Sequence, residues 1–155
     1  MSEEEKREEI IKEARSWLNP PTAYHHQARL KGVGVDCAQF LIDIYFKCGL
    51  IPDLKITDYS MQWALHHNDE KYLGWVKKYA VEISEAEVKP GDIALFKFGR
   101  VIGHGAIVVK WPIVIHAFNK VGVCYADATQ FPLGNKDRLK GFFSLWGSSE
   151  ATPVG

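Results

Sequence analysis

The order of the elements predicts an α+β fold in which N-terminal helices pack on a mainly antiparallel β-sheet. Two helical segments open the chain, a turn at Lys89-Pro90-Gly91-Asp92 follows, and five short strand-like segments then run in sequence to about Trp146.

Each element has a local cause. Ser2 and Glu5 form a capping box, and Glu3, Glu4 and Glu5 face the positive end of the helix dipole. Ile10, Ile11, Ala14, Trp17 and Leu18 recur at helical spacing until Asn19-Pro20-Pro21 stops the helix. Thr22 to Val35, with Gly32 and Gly34, reads as a loop. The second helix starts at the N-cap Asp36, carries the apolar stripe Phe40, Leu41, Ile44, Tyr45 and Cys48, and ends at Gly49 in the C′ position. About Asp58 to Ala80 reads as irregular helix, interrupted near His67-Asn68 and by Gly74. The segment from Asp53 to Glu87 is a candidate flap, with Trp63, Tyr72 and Trp75 either as contacts to a ligand or as ordinary core aromatics. The expected strands are Ile93–Phe96, Gly105–Val109, Ile113–Ala117, Val121–Ala126 and Phe142–Trp146.

A chain of 155 residues, 46% hydrophobic and 25% charged, suits one domain over 1–155 with a core at about 17–146. Nineteen basic and nineteen acidic residues cancel, which argues against a nucleic-acid partner. The acidic, amphipathic amino terminus is unlike a signal peptide, and no stretch approaches the ~20 apolar residues of a membrane span. Synthesis in the cytoplasm without a signal peptide is the expectation. Three cysteines without scaffold spacing, Cys37, Cys48 and Cys124, suggest reduced thiols.

Chemistry concentrates at two places. Cys37 would be the first residue of the second helix, where free N–H groups and the dipole favour a thiolate and lower its pKa. The same N–H groups suit an oxyanion. A small buried hydrophobe is the plain alternative, and it is the preferred reading for Cys48 and Cys124. His104 and His116 lie on two strands around a turn at Lys110-Trp111-Pro112, with shared parity. A turn centred near Lys110 would set them opposite one another on one face, where one imidazole can orient the other. Buried histidines are often only satisfied core residues. A matched pair downstream of a helix-start cysteine supplies instead a base, an orienter and a thiol. His25-His26 and His66-His67 have no cysteine or carboxylate at zinc-ligand spacing, so neither a metal nor another cofactor is expected.

Gly34-Val35-Asp36-Cys37-Ala38, Lys89-Pro90-Gly91-Asp92, His104-Gly105-Ala106-Ile107-Val108 and Ile115-His116-Ala117 together resemble the NlpC family of cell-wall cysteine peptidases. Thr22-Ala23-Tyr24-His25-His26-Gln27 adds a likeness to its phage-associated branch, and the resemblance runs from about Trp17 to Trp146. It implies a papain-like fold, with Cys37 as nucleophile, His104 as general base and acid, and His116 as orienter. It also implies hydrolysis of peptidoglycan stem peptides, typically between D-γ-glutamate and the diamino acid, at the bacterial cell wall. Phage tail proteins are possible partners. Residues matching Tyr24 and Asp36 meet a free amino group of the substrate in some members, and a phenol and a carboxylate can both accept from an ammonium. For Asp36 a plain helix cap is the other reading. The usual Ser-Gly after the cysteine is here Ala38-Gln39, which bears on cleft shape. No accessory wall-binding domain is expected, so either a partner assembly would supply targeting or the domain works alone. Three classes stay open: a cell-wall peptidase, another thiol amidase, deamidase or acyltransferase, and an inactive structural tail protein.

Overall fold

The structure, a computed structural model, describes residues 1–54, 71–98, 101–135 and 137–146, with 71–73 and 101–102 described in backbone only. Helix α1 spans Glu3–Arg15, and its capping box is formed: Ser2 Oγ accepts from Glu5 N at 3.1 Å and Ser2 N donates to Glu5 Oε1 at 3.0 Å. Helix α2 spans Cys37–Lys47 behind the N-cap Asp36, and Gly49 takes φ +76° past its end. Helix α3, Lys71–Tyr79, runs straight through Gly74. The expected interruption there does not occur. A side chain at Gly74 would meet nothing within 4 Å, so its lack of a Cβ forfeits no packing. Trp75 packs in the core rather than lining a cleft. His66, His67, Trp63 and most of the candidate flap lie outside the described residues.

The loop expected from Thr22 to Val35 contains a small sheet. Strand β1 (Ala23–Tyr24) pairs in parallel with β3 (Gly34–Val35), and β2 (Arg29–Leu30) pairs antiparallel with β3. Gly34 is required there, because a Cβ would stand 2.8 Å from the His25 Cβ. Such short strands carry no periodicity, which is why sequence patterning misses them.

The main sheet has six strands in the order β4-β9-β5-β6-β7-β8, all antiparallel neighbours. They are β4 (Val81–Ile83), β5 (Ile93–Phe98), β6 (Val101–Lys110), β7 (Ile113–Phe118), β8 (Gly122–Asp127) and β9 (Leu139–Ser144). Both faces are covered, as the two-sided apolar pattern demands. Ile93, Leu95, Ile107, Ile115 and Ala117 meet Phe40, Leu41 and Ile44 of α2 and Ile10 and Ala14 of α1. Ala94, Phe96, Ala106, Val108, Val114 and Phe142 form a second cluster, closed by Ala128 and Leu133.

One buried ion pair ties helices to sheet. Arg7 Nη1 donates to Asp92 Oδ1 at 2.7 Å and to the Pro90 carbonyl at 2.8 Å, and Nη2 to Ser144 Oγ at 3.3 Å. Arg7→Met leaves the Asp92 carboxylate buried without its counter-charge, and is expected to cost about 3–5 kcal/mol. Urea denaturation measures it. A variant as stable as the parent would show the pair contributes little.

Candidate active site

Asp36 is 1% exposed, and both its oxygens accept main-chain N–H groups: Oδ1 from Gln39 at 2.8 Å, Oδ2 from Gln27 at 2.7 Å. It caps α2 and gathers the Tyr24–Gln27 segment around the helix start. The plain-cap reading therefore describes what Asp36 does here, and any contact with substrate is additional to it. His26 Nδ1 stands 4.0 Å from Asp36 Oδ2, while His25 is exposed and rests on Gly34.

Cys37 follows as the first helical residue, half-buried. Its Sγ donates to the Gly103 carbonyl at 3.6 Å. Tyr24, placed beside Val35 by the β1–β3 pairing, makes a side-chain hydrogen bond to the same sulfur. With the thiol proton directed at Gly103, the phenol is the donor in that bond.

The histidines meet, by a different register from the one expected. Ile107 pairs with Ile115 and Val108 with Val114, so the hairpin is centred one residue beyond Lys110. Extending that register sets His104 opposite Phe118 and His116 opposite Ala106, a diagonal relation rather than a direct one. The turn itself has two residues, Trp111-Pro112, which alone would flip one histidine away. A bulge between Val108 and Lys110 adds one residue and restores the shared face. His104 Nε2 then lies 2.8 Å from His116 Nδ1, with the two residues 6% and 2% exposed. Phe118 stacks on His116 with centroids 5.1 Å apart, and Phe98 meets His104 edge-on at 5.4 Å.

A second irregularity joins this pair to the thiol. Phe96 pairs with His104 but Lys97 with Ile102, so Gly103 falls outside the ladder, and its carbonyl is the one Cys37 reaches. The nucleophile candidate thus contacts the main chain immediately before the base candidate. Nδ1 of His104 is the ring nitrogen that His116 leaves unoccupied.

Electrostatics differ from the expectation for Cys37. Burial, reinforced by Asp36, pushes its thiol up to about 12, while the hydrogen bonds from Tyr24 and the Ala38 N–H oppose this. The helix terminus does not win, because dehydration of a thiolate outweighs a few partial charges. Burial lowers His116 to about 4. His104 is held well below its ordinary value by burial, then by His116 and Arg138. At neutral pH the resting pair is a thiol and an uncharged imidazole. Among the described residues no group of His, Cys, Asp and Glu is gathered to hold a metal, and no helix is long and apolar enough to cross a membrane.

Sequence reasoning missed Phe98, Phe118 and Arg138, which surround His104 without any motif of their own. The even spacing of His116 and Phe118 along one strand was the available signal.

Residues 21–132 match the NlpC/P60 family model. Comparison with curated protein sequences gives no match. Among solved structures, the chain is similar to the NlpC/p60 domain of the peptidoglycan hydrolase SagA, with a TM-score of 0.61 and 18% identity over 89% of this chain and 97% of that one. NlpC2 from Trichomonas vaginalis gives 0.63 at 15% identity over 92% of this chain and 47% of that one. An NLP/P60-family lipoprotein-like protein from Staphylococcus aureus gives 0.61 at 19% over 95% and 43%. The chain thus spans nearly all of the SagA domain and under half of the other two. The likenesses establish the papain-like α+β fold, and with the family match over well over half of its length the chain belongs to the NlpC/P60 family.

Proposed function

We propose that the protein is a cysteine peptidase that hydrolyses peptide bonds in peptidoglycan stem peptides, with Cys37 as nucleophile, His104 as base and acid, and His116 as orienter. The observation that carries this reading is the Cys37–Gly103 contact beside a buried His104–His116 pair. The SagA domain, a peptidoglycan hydrolase by name, supports the substrate class.

His104 takes the thiol proton as sulfur attacks the carbonyl carbon. The N–H groups at the start of α2 and the Tyr24 hydroxyl lie beside the sulfur to receive the oxyanion. His104 then protonates the leaving amine, and water hydrolyses the thioester by the reverse proton path. His116 fixes the ring and Phe118 covers their hydrogen bond. Ala38 and Gln39, which stand in place of the usual Ser-Gly, are both buried in the packing of α2.

Digestion of purified muropeptides, read by mass, tests the reaction. Cys37→Ala and His104→Ala are expected to abolish cleavage, and His116→Gln to retain a measurable remainder. Intact cleavage by Cys37→Ala would refute the mechanism.

The inverted pKa order has its own signature. Transfer from thiol to imidazole inside the pair changes no net proton count, so if the His104 imidazolium keeps its proton beside the Cys37 thiolate through pH 8, as the base in this reading must, iodoacetamide labelling of Cys37 should be nearly flat from about pH 6 to 8. His104→Ala should make it rise about tenfold per pH unit, as for an isolated thiol with a high pKa. A wild-type profile with that same steep rise would show that His104 is not the base.

With Tyr24, Asp36 is our candidate site for a free amino group of the substrate, since a phenol and a carboxylate can both accept from an ammonium. Two peptides differing only in amino-terminal acetylation should then differ about tenfold or more in efficiency, in favour of the free amine. Equal cleavage would remove that pocket. Preference for the acetylated peptide would instead fit intact wall, and with it the tail-borne role at the wall that the Thr22–Gln27 likeness supports.

A further inference from the structure

Arg138 stands at the entry to β9, and its guanidinium lies over the Phe98 ring, 4.1 Å from the centroid. Phe98 meets His104 edge-on at 5.4 Å, so one aromatic ring separates a fixed cation from the candidate acid–base. The field crosses that ring, since Arg138 helps to keep His104 uncharged. The other interior arginines have carboxylate partners: Arg7 holds Glu3 and Asp92, and Arg29 holds Asp43 and Asp53. Arg138 gives one N–H to the Pro132 carbonyl at 3.2 Å, and among the described residues no Asp or Glu lies within ion-pair distance of it. A guanidinium carries five donors in a fork that matches a carboxylate. Held against an aromatic face it is already oriented, so little side-chain freedom is left to lose on binding.

We infer that Arg138 is a specificity residue that binds a carboxylate on the leaving-amine half of the substrate. This rests on the proposed roles of Cys37 and His104. His104 must reach the departing nitrogen, so that half of the peptide crosses the His104–Phe98 side of the site. An extended peptide advances ~3.3 Å per residue, and one ring's width past His104 corresponds to a carboxylate about one to two residues beyond the scissile bond. Two carboxylates of a stem peptide fall in that range: the one on the side chain of an acidic diamino acid, and the free carboxyl terminus of a short peptide. Tyr24 and Asp36 would read the amino side, and Arg138 the carboxyl side.

The test uses peptides in pairs, carboxylate against carboxamide, first at the carboxyl terminus and then on the diamino-acid side chain. Wild type should favour the carboxylate about tenfold or more in kcat/KM in at least one pair. In Arg138→Gln the ratio should fall to about one. Arg138→Met, which keeps an apolar stem over Phe98, gives the same reading should the glutamine variant not fold. Loss of the charge should also move the acid limb of the pH profile upward, a shift that a purely structural arginine would not produce. Equal handling of both pairs by wild type, or a preference that survives removal of the charge, overturns the inference. If no peptide is cleaved, the peptidase reading fails, and calorimetric binding of the same peptides to wild type and Arg138→Gln still decides the carboxylate preference.

Discussion

The buried Arg7–Asp92 pair is the constraint on which the site's geometry depends. Asp92 also accepts from Lys89 N at 2.8 Å, and the turn it closes exchanges main-chain bonds with Val108 of β6. Tyr45 of α2 donates to the Gly91 carbonyl at 2.7 Å in the same turn. Helix α1, helix α2, β6 and β9 are therefore fixed to one another at a single point, and Trp146 covers it with its ring 4.4 Å from the guanidinium. Cys37 begins one of those elements and His104 lies on another. The pair is not there for electrostatic profit: burial raises the Asp92 pKa despite the arginine beside it. Its contribution is to make any other docking of α1, against which α2 packs, leave a charge unpaired.

Given that docking, two local irregularities complete the site. A regular ladder through the β6–β7 turn would send one histidine to the opposite face, and the bulge before Lys110 prevents this. A regular β5–β6 ladder would engage Gly103 between strands, and the slip at Lys97 releases its carbonyl toward the thiol. Bulges re-aim side chains and main chain at one place without altering the rest of the sheet.

The legible parts of the sequence were those with a period or a cap. The capping box at Ser2, the Asp36 N-cap, the Gly49 terminus and five of the six main strands follow from neighbours a few residues apart. The shared face of His104 and His116 was also legible as parity, although its cause was not: an assumed turn centre near Lys110 gave the same parity as a two-residue turn plus a bulge. Arg7 carries no sign of its partner, which lies 85 residues away. The small β1-β3-β2 sheet, β4 and the setting of Arg138 depend likewise on contacts between distant segments. For Cys37 the helix-start position was read correctly and its electrostatic consequence was not, because dehydration depends on what covers the sulfur, and sequence spacing does not report that.

That inversion changes what the surrounding residues must do. A site with a depressed thiol and a charged imidazole stores its ion pair at rest, whereas in the proposed mechanism the pair would form only as bond-making begins. Every group that favours the thiolate is already in place: the Ala38 N–H and the Tyr24 hydroxyl both direct hydrogens at the sulfur. The imidazole's surroundings do the reverse: burial first, then His116 and Arg138, disfavour its cationic form. A base held below its ordinary pKa keeps little of the proton it takes, so once the tetrahedral intermediate forms it is a strong acid toward the departing amine. Protonation of that amine is the demanding step in amide hydrolysis. On the proposed mechanism, the environment that holds the resting thiol in its protonated form would therefore lower the barrier later in the reaction, where a carboxylate drawn toward Arg138 would offset part of the positive charge that gathers on His104.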